Sequence, residues 1–128
     1  MASSSGGLHE HEDRLDPATI DRHRALVSIQ EELEAVDWYG QRVDATADPS
    51  LAAVLAHNRD EEKEHAAMTI EWLRRHDAVL DRHLRTYLFT SGSITELETE
   101  EESADDATPE AGRDASGSLG IGSLKGSR

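Results

Sequence analysis

Two Asp-Pro dipeptides, Asp16-Pro17 and Asp48-Pro49, each open a long stretch that no further proline interrupts. Aspartate accepts from the free N–H groups of a first helical turn, and proline suits the first helical position because no donor is needed there. The first pattern runs to about Asp44 and the second to about His76, with roughly four residues between them. A connection that short makes two long helices antiparallel neighbours. A third, shorter helix is predicted from about Asp77 to Tyr87, with Val79, Leu80, Leu84, Tyr87 and Leu88 giving it an apolar side. Gly92 is expected to end the ordered region. No segment carries a strand pattern. The predicted class is all-α: an antiparallel two-helix hairpin followed by a short C-terminal helix.

Not all of the 128 residues can belong to that fold. Residues 1–15 combine Ser, Gly and charge without periodicity, which predicts a disordered N-terminus. Between Ser91 and Gly117 there are nine acidic residues against one basic residue, Arg113, and no aromatic. This predicts an acidic disordered linker over 93–117, between a helical domain at 16–92 and a terminal segment at 118–128. Of the net −14, the stretch from Ser91 to Gly117 carries −8, the terminal segment +2 and the first ninety residues −8. The helical part is therefore acidic in its own right. About seventy-five residues remain to build a core, few enough that a metal or oligomerisation is expected to help. Cysteine is absent, which excludes disulfides and thiolate metal sites. No apolar run approaches membrane-spanning length, so the expectation is a soluble intracellular protein with no membrane partner. Repulsion from phosphate makes nucleic acid an unsuitable partner as well.

Within the second helix, Leu51, Leu55, Asn58, Glu62, His65, Thr69 and Trp72 recur in steps of four and three. That spacing keeps them on one stripe, which would ordinarily face a partner. In the first helix the corresponding stripe is Ala25, Ile29, Glu32, Val36, Tyr39 and Val43. Carboxylates and an imidazole on such a seam are costly unless something neutralises them. A divalent metal does so, and oxygen and imidazole ligands suit ferrous iron. In an antiparallel hairpin Glu32, Glu62 and His65 are expected at a common level. Ferritin-like di-iron bundles use a Glu from each of two helices and Glu-x-x-His from each of the other two. One chain offers half of that set, so two chains would have to meet face to face as a dimer, completing a four-helix bundle. The alternative is that Glu62 and His65 are a surface pair and the stripe is one residue out.

Other residues admit two readings. Glu31 and Glu34 flank Glu32 and either guide cations inward or form a solvated acidic face, with Arg24 nearby. His57, Glu61 and Glu64 are spaced on another side of the second helix, as a weak metal site or as ordinary surface polarity. Trp38 and Trp72 read as packing residues. Tyr39, two turns beyond Glu32, could place its hydroxyl behind the ligands or simply pack. At the far end, Leu119, Ile121 and Leu124 stand on a Gly-rich backbone after the acidic stretch, a pattern suited to a tethered docking peptide.

Several runs resemble the encapsulated ferritin family: Arg22-His23-Arg24-Ala25, Glu31 through Tyr39, Ala56 through Ala66, and Glu71-Trp72-Leu73-Arg74-Arg75. The likeness covers about Asp16 to Gly92. The ending Leu119-Gly120-Ile121-Gly122-Ser123-Leu124-Lys125 resembles the cargo-loading peptide that delivers proteins into encapsulin shells. The resemblance implies a ferroxidase with a di-iron centre across a subunit pair, pairs assembling into an open ring of ten, and storage of the product inside an encapsulin nanocompartment in the bacterial cytoplasm. It implies Glu32, Glu62 and His65 as iron ligands, Tyr39 and Trp38 as neighbours of the centre, and Glu31 and Glu34 along the path iron takes to reach it. Two other functions fit the same residues: a di-metal oxidoreductase consuming peroxide, and a non-enzymatic helical cargo adaptor.

Overall fold

The computed structural model describes residues 7–107, and among them lie four α-helices, one short 3-10 turn and no strand. The helices are α1 (Pro17–Ala45), α2 (Pro49–His76), α3 (Ala78–Tyr87) and α4 (Ile94–Ala107). The all-α class is as the sequence predicts. None of these helices is long and apolar enough to cross a membrane.

The capping chemistry differs at the two Asp-Pro openings. Asp16 is the N-cap of α1 in an extended conformation, but its side chain makes no capping hydrogen bond. Its carbonyl starts the helix instead, accepting from Thr19 and Ile20. At α2 the Asp48 carboxylate accepts from the backbone of Ser50 at 3.0 Å and Leu51 at 3.4 Å. Asp77 is the N-cap of α3 rather than its first residue, accepting from Leu80 N–H at 3.0 Å.

The chain divides into a first unit ending at His76 and a second beginning at Asp77. In the first, α1 and α2 pack as the expected hairpin. Its buried side chains are Ala25, Ala66 and Leu73. The seam on α2 thus runs one position round from the predicted stripe: Ala66 and Leu73 are buried where His65 and Trp72 were expected to be. Two stripes one residue apart fit the same spacing of four and three, and small Ala66 admits a closer helix approach than His65. Consequently Leu51, Val54, Met68 and Trp72 each keep more than a third of their surface open, as does Trp38 on α1. The tryptophans are not packed away within this chain.

In the second unit, α4 occupies part of the stretch expected to be a disordered linker. Carboxylate repulsion argued against a helix there, but α3 supplies a cation. Arg82 Nη1 lies 3.0 Å from Glu101 and 3.5 Å from Asp105, and the Thr86 hydroxyl donates to Glu101 at 3.2 Å. Ser93 Oγ accepts from Glu96 N–H at the start of α4. Burial, and then the carboxylates of Glu98, Glu101 and Glu102, push the Tyr87 phenol above its ordinary pKa. Between α3 and α4, Phe89 is fully exposed with φ +62°, a left-handed backbone uncommon for an aromatic residue. Near the N-terminus, Glu12–Arg14 form the 3-10 turn within the segment expected to lack structure, with His11 Nδ1 accepting from Asp13 N–H. The remainder of the predicted linker from 108, and the predicted docking peptide at 118–128, lie outside the described residues.

Gly40 sits inside α1 with a negative φ. A Cβ there would meet Arg59 Cδ at 3.9 Å, an ordinary contact. Gly40→Ala should therefore stabilise the hairpin by about 0.5–1 kcal/mol through reduced backbone entropy in the unfolded chain. Thermal melts check this, and a lower midpoint in the variant would show that another group approaches this backbone.

Candidate metal centre

Helix α2 brings Glu62 and His65 together one turn apart. His65 Nδ1 lies 3.6 Å from Glu62 Oε1, with Glu62 mostly covered and His65 about half open. One cation can span that separation, since bonds from such donors run about 2.0–2.2 Å each. His65 Nε2 is 4.0 Å from Glu61 Oε1, and the other oxygen of Glu61 is 3.9 Å from His57 Nε2. Glu61 therefore stands between the two imidazoles. The sequence reading placed His57 and Glu61 on a separate side of α2, but the exposed edge is continuous with His65. Glu64 is exposed.

Glu32 comes from α1 and is half-buried against α2. Its Oε1 accepts from the Thr69 hydroxyl at 3.5 Å, and the same hydroxyl bonds the His65 carbonyl at 3.1 Å. The expected common level of Glu32, Glu62 and His65 is thus not what the hairpin presents. Glu32 meets Thr69, one turn past His65 and two turns past Glu62. The reason is directional: long helical side chains lean toward their own N-terminus, so in an antiparallel pair the two carboxylates reach opposite ways. Among the described residues of the single chain, no three His, Asp or Glu side chains converge closely enough to hold a metal ion. Their chemistry fits a divalent iron ion.

The neighbouring residues are placed as follows. Tyr39 is half-buried, with the Arg42 guanidinium 5.4 Å from its ring centre. Glu31 is exposed and Glu34 half-buried. Arg24, read as the cation nearest these carboxylates, pairs with Asp21 at 2.7 Å. Sequence reasoning missed an open cleft beside Glu32, walled by Asp21, Arg24 and Ala25 of α1 and Met68, Thr69 and Trp72 of α2. It also missed the stacking of His76 on Trp72, centroids 3.9 Å apart, because an i, i+4 aromatic pair leaves no distinctive sequence mark.

Glu71, close in sequence to this cluster, is already engaged. Arg74 and Arg75 both donate to it at 2.7–2.8 Å. The hydrogen bond from Arg74, and then that from Arg75, hold its carboxyl at about 2, below the ordinary 4.5. A lowered carboxyl contributes stability that is complete above the unfolded pKa and is lost as pH falls through the folded one. The clamp should therefore persist at pH 4.5 and open on acidification toward pH 2. A carboxyl-carbon NMR titration of Glu71 checks this, and an ordinary midpoint near 4.5 contradicts it.

A hairpin of two long helices carrying half-buried Glu and Glu-x-x-His defines a ferritin-like class of subunit. The EncFtn-like family model matches residues 7–91, and the chain belongs to that family. The chain is 62% identical to the encapsulated ferritin-like protein of Rhodospirillum rubrum, over 98% of this chain and 93% of the relative. It is 48% identical to a ferritin-like protein of Thermotoga maritima, covering 91% of this chain and 96% of that one. It is also 36% identical to the encapsulin nanocompartment cargo protein EncC of Myxococcus xanthus, over 55% of this chain and 58% of that one. The crystal structure of protein ne0167 from Nitrosomonas europaea superposes with a TM-score of 0.67 at 57% identity, covering 69% of this chain and 97% of that one.

Proposed function

We propose that this chain is a ferroxidase, oxidising Fe²⁺ to Fe³⁺ with O₂ at a di-iron centre formed between two copies of itself. It would act inside an encapsulin nanocompartment in the bacterial cytoplasm, where the ferric product is stored. The observation that carries this reading is the Glu62–His65 pair at 3.6 Å. His65 lies on the face of the hairpin that leaves Leu51, Val54, Met68 and Trp72 uncovered. An apolar face of that kind suits a second hairpin, and a twofold pairing doubles every donor upon it. Family membership and the likeness to an encapsulin cargo protein support the same reading.

In this scheme Glu32 and Glu62 ligate or bridge the iron ions and His65 caps each of them. Bridging carboxylates keep two cations close while offsetting their charge. Each ferrous ion would lose one electron, and dioxygen, with protons from solvent, would accept them. Glu31 and Glu34 line the path by which iron arrives, and Tyr39 and Trp38 border the centre. Pairs of subunits assemble further into an open ring of ten. Such a ring encloses no mineral, so the shell holds the product, and the segment 118–128 binds the shell.

Native mass spectrometry with and without Fe²⁺ should reveal an even-numbered oligomer carrying two irons per pair of chains. Glu32→Ala or His65→Ala should slow oxidation by about tenfold or more after anaerobic iron loading and admission of air. A wild-type rate in either variant removes that residue from the centre. A separate truncation from Ser118 onward should abolish encapsulation while oxidation continues unchanged. Loss of both would show that the tail serves the catalytic fold rather than the shell.

A further inference from the structure

We infer that Thr69 is a positioning residue for Glu32, fixing the α1 carboxylate against the turn of α2 that carries His65. The inference rests on the reading of Glu32 as an iron ligand given above. Thr69 lies on the inward side of α2, half-buried, at a place in the seam where an aliphatic side chain would add more apolar contact. Its hydroxyl is 3.1 Å from the His65 carbonyl one turn back and 3.5 Å from Glu32 Oε1 across the seam. The bond to the carbonyl settles the threonine rotamer, because a β-branched side chain in a helix has few choices at its first torsion. The oxygen so fixed faces Glu32 on the other helix.

Glutamate has three rotatable side-chain bonds, and a ligand free to sample them binds metal less well than one held near its working position. A partly covered hydroxyl that shares its proton between a carbonyl and a carboxylate restrains Glu32 without neutralising it. The bond is long enough to yield when the carboxylate swings between terminal and bridging positions. It would therefore hold the ligand while leaving it mobile enough for turnover.

Thr69→Val keeps the shape of the side chain and removes the hydroxyl; Thr69→Ser keeps the hydroxyl and removes the methyl. Co²⁺, redox-stable in air here, reports binding through its visible absorption independently of any iron oxidation. Thr69→Val should bind Co²⁺ roughly threefold to tenfold more weakly and raise the iron KM by a similar factor, the loss expected for one hydrogen bond of ordinary strength, since the contact to Glu32 is long. Its kcat, thermal midpoint and oligomeric state should stay close to wild type, and Thr69→Ser should recover most of the affinity. Thr69→Ala repeats the test should valine disturb the seam. Wild-type Co²⁺ affinity and KM in both Thr69→Val and Thr69→Ala overturn the inference, as does a loss that Thr69→Ser fails to recover. Glu32→Ala measured alongside separates the two readings. If it abolishes Co²⁺ binding while Thr69→Val does nothing, only the role of Thr69 falls; if it too binds normally, the ligand assignment falls and takes this inference with it.

Discussion

The hairpin is governed by how little it can bury between its own two helices. Among the described residues, its covered apolar side chains are two alanines and one leucine, Ala25, Ala66 and Leu73. Apolar burial is the main favourable term in folding, and alanines contribute little of it. The same small side chains leave room beside them for Glu32, Glu62 and Thr69, polar groups that a bulkier seam would exclude. A thin seam and a polar seam are thus one property. It is also why large apolar side chains such as Met68 and Trp72 stand at the open edge, where the proposed second copy would cover them.

Direction along the helices then decides what the polar groups can do. His65 faces Glu62 because residues three apart on a helix are neighbours. Glu32 and Glu62 do not face each other because each leans toward the start of its own helix, and those starts lie at opposite ends of an antiparallel pair. The single chain therefore separates its two strongest candidate ligands. In the proposed pairing a second copy would double each of these donors.

Among the described residues, several arginines are held by nearby carboxylates. Asp21 holds Arg24, Glu71 holds Arg74 and Arg75, and Arg82 holds Glu101 with Asp105. Exposed pairs of this kind contribute little stability individually. Their effect here is positional. Asp21 keeps the guanidinium of Arg24, on the wall of the hairpin cleft, occupied, and Arg82 lets an acidic segment lie helical against α3.

The sequence by itself determined the elements: Asp-Pro openings, unbroken spacing of four and three, and a connection too short for anything but a hairpin. Those are local signals, written within a few residues of where they act. The Glu-x-x-His pair was legible for the same reason, since both partners sit on one helix. Residues Ile94–Ala107 were misread because their helix leans on a cation from a different element, which no local charge count registers. The exact seam, the separation of Glu32 from Glu62, and the bond from Thr69 to Glu32 were decided only in three dimensions. A stripe repeats almost unchanged when turned by one residue, so its spacing cannot say which edge is covered; the packing of one helix on the other does.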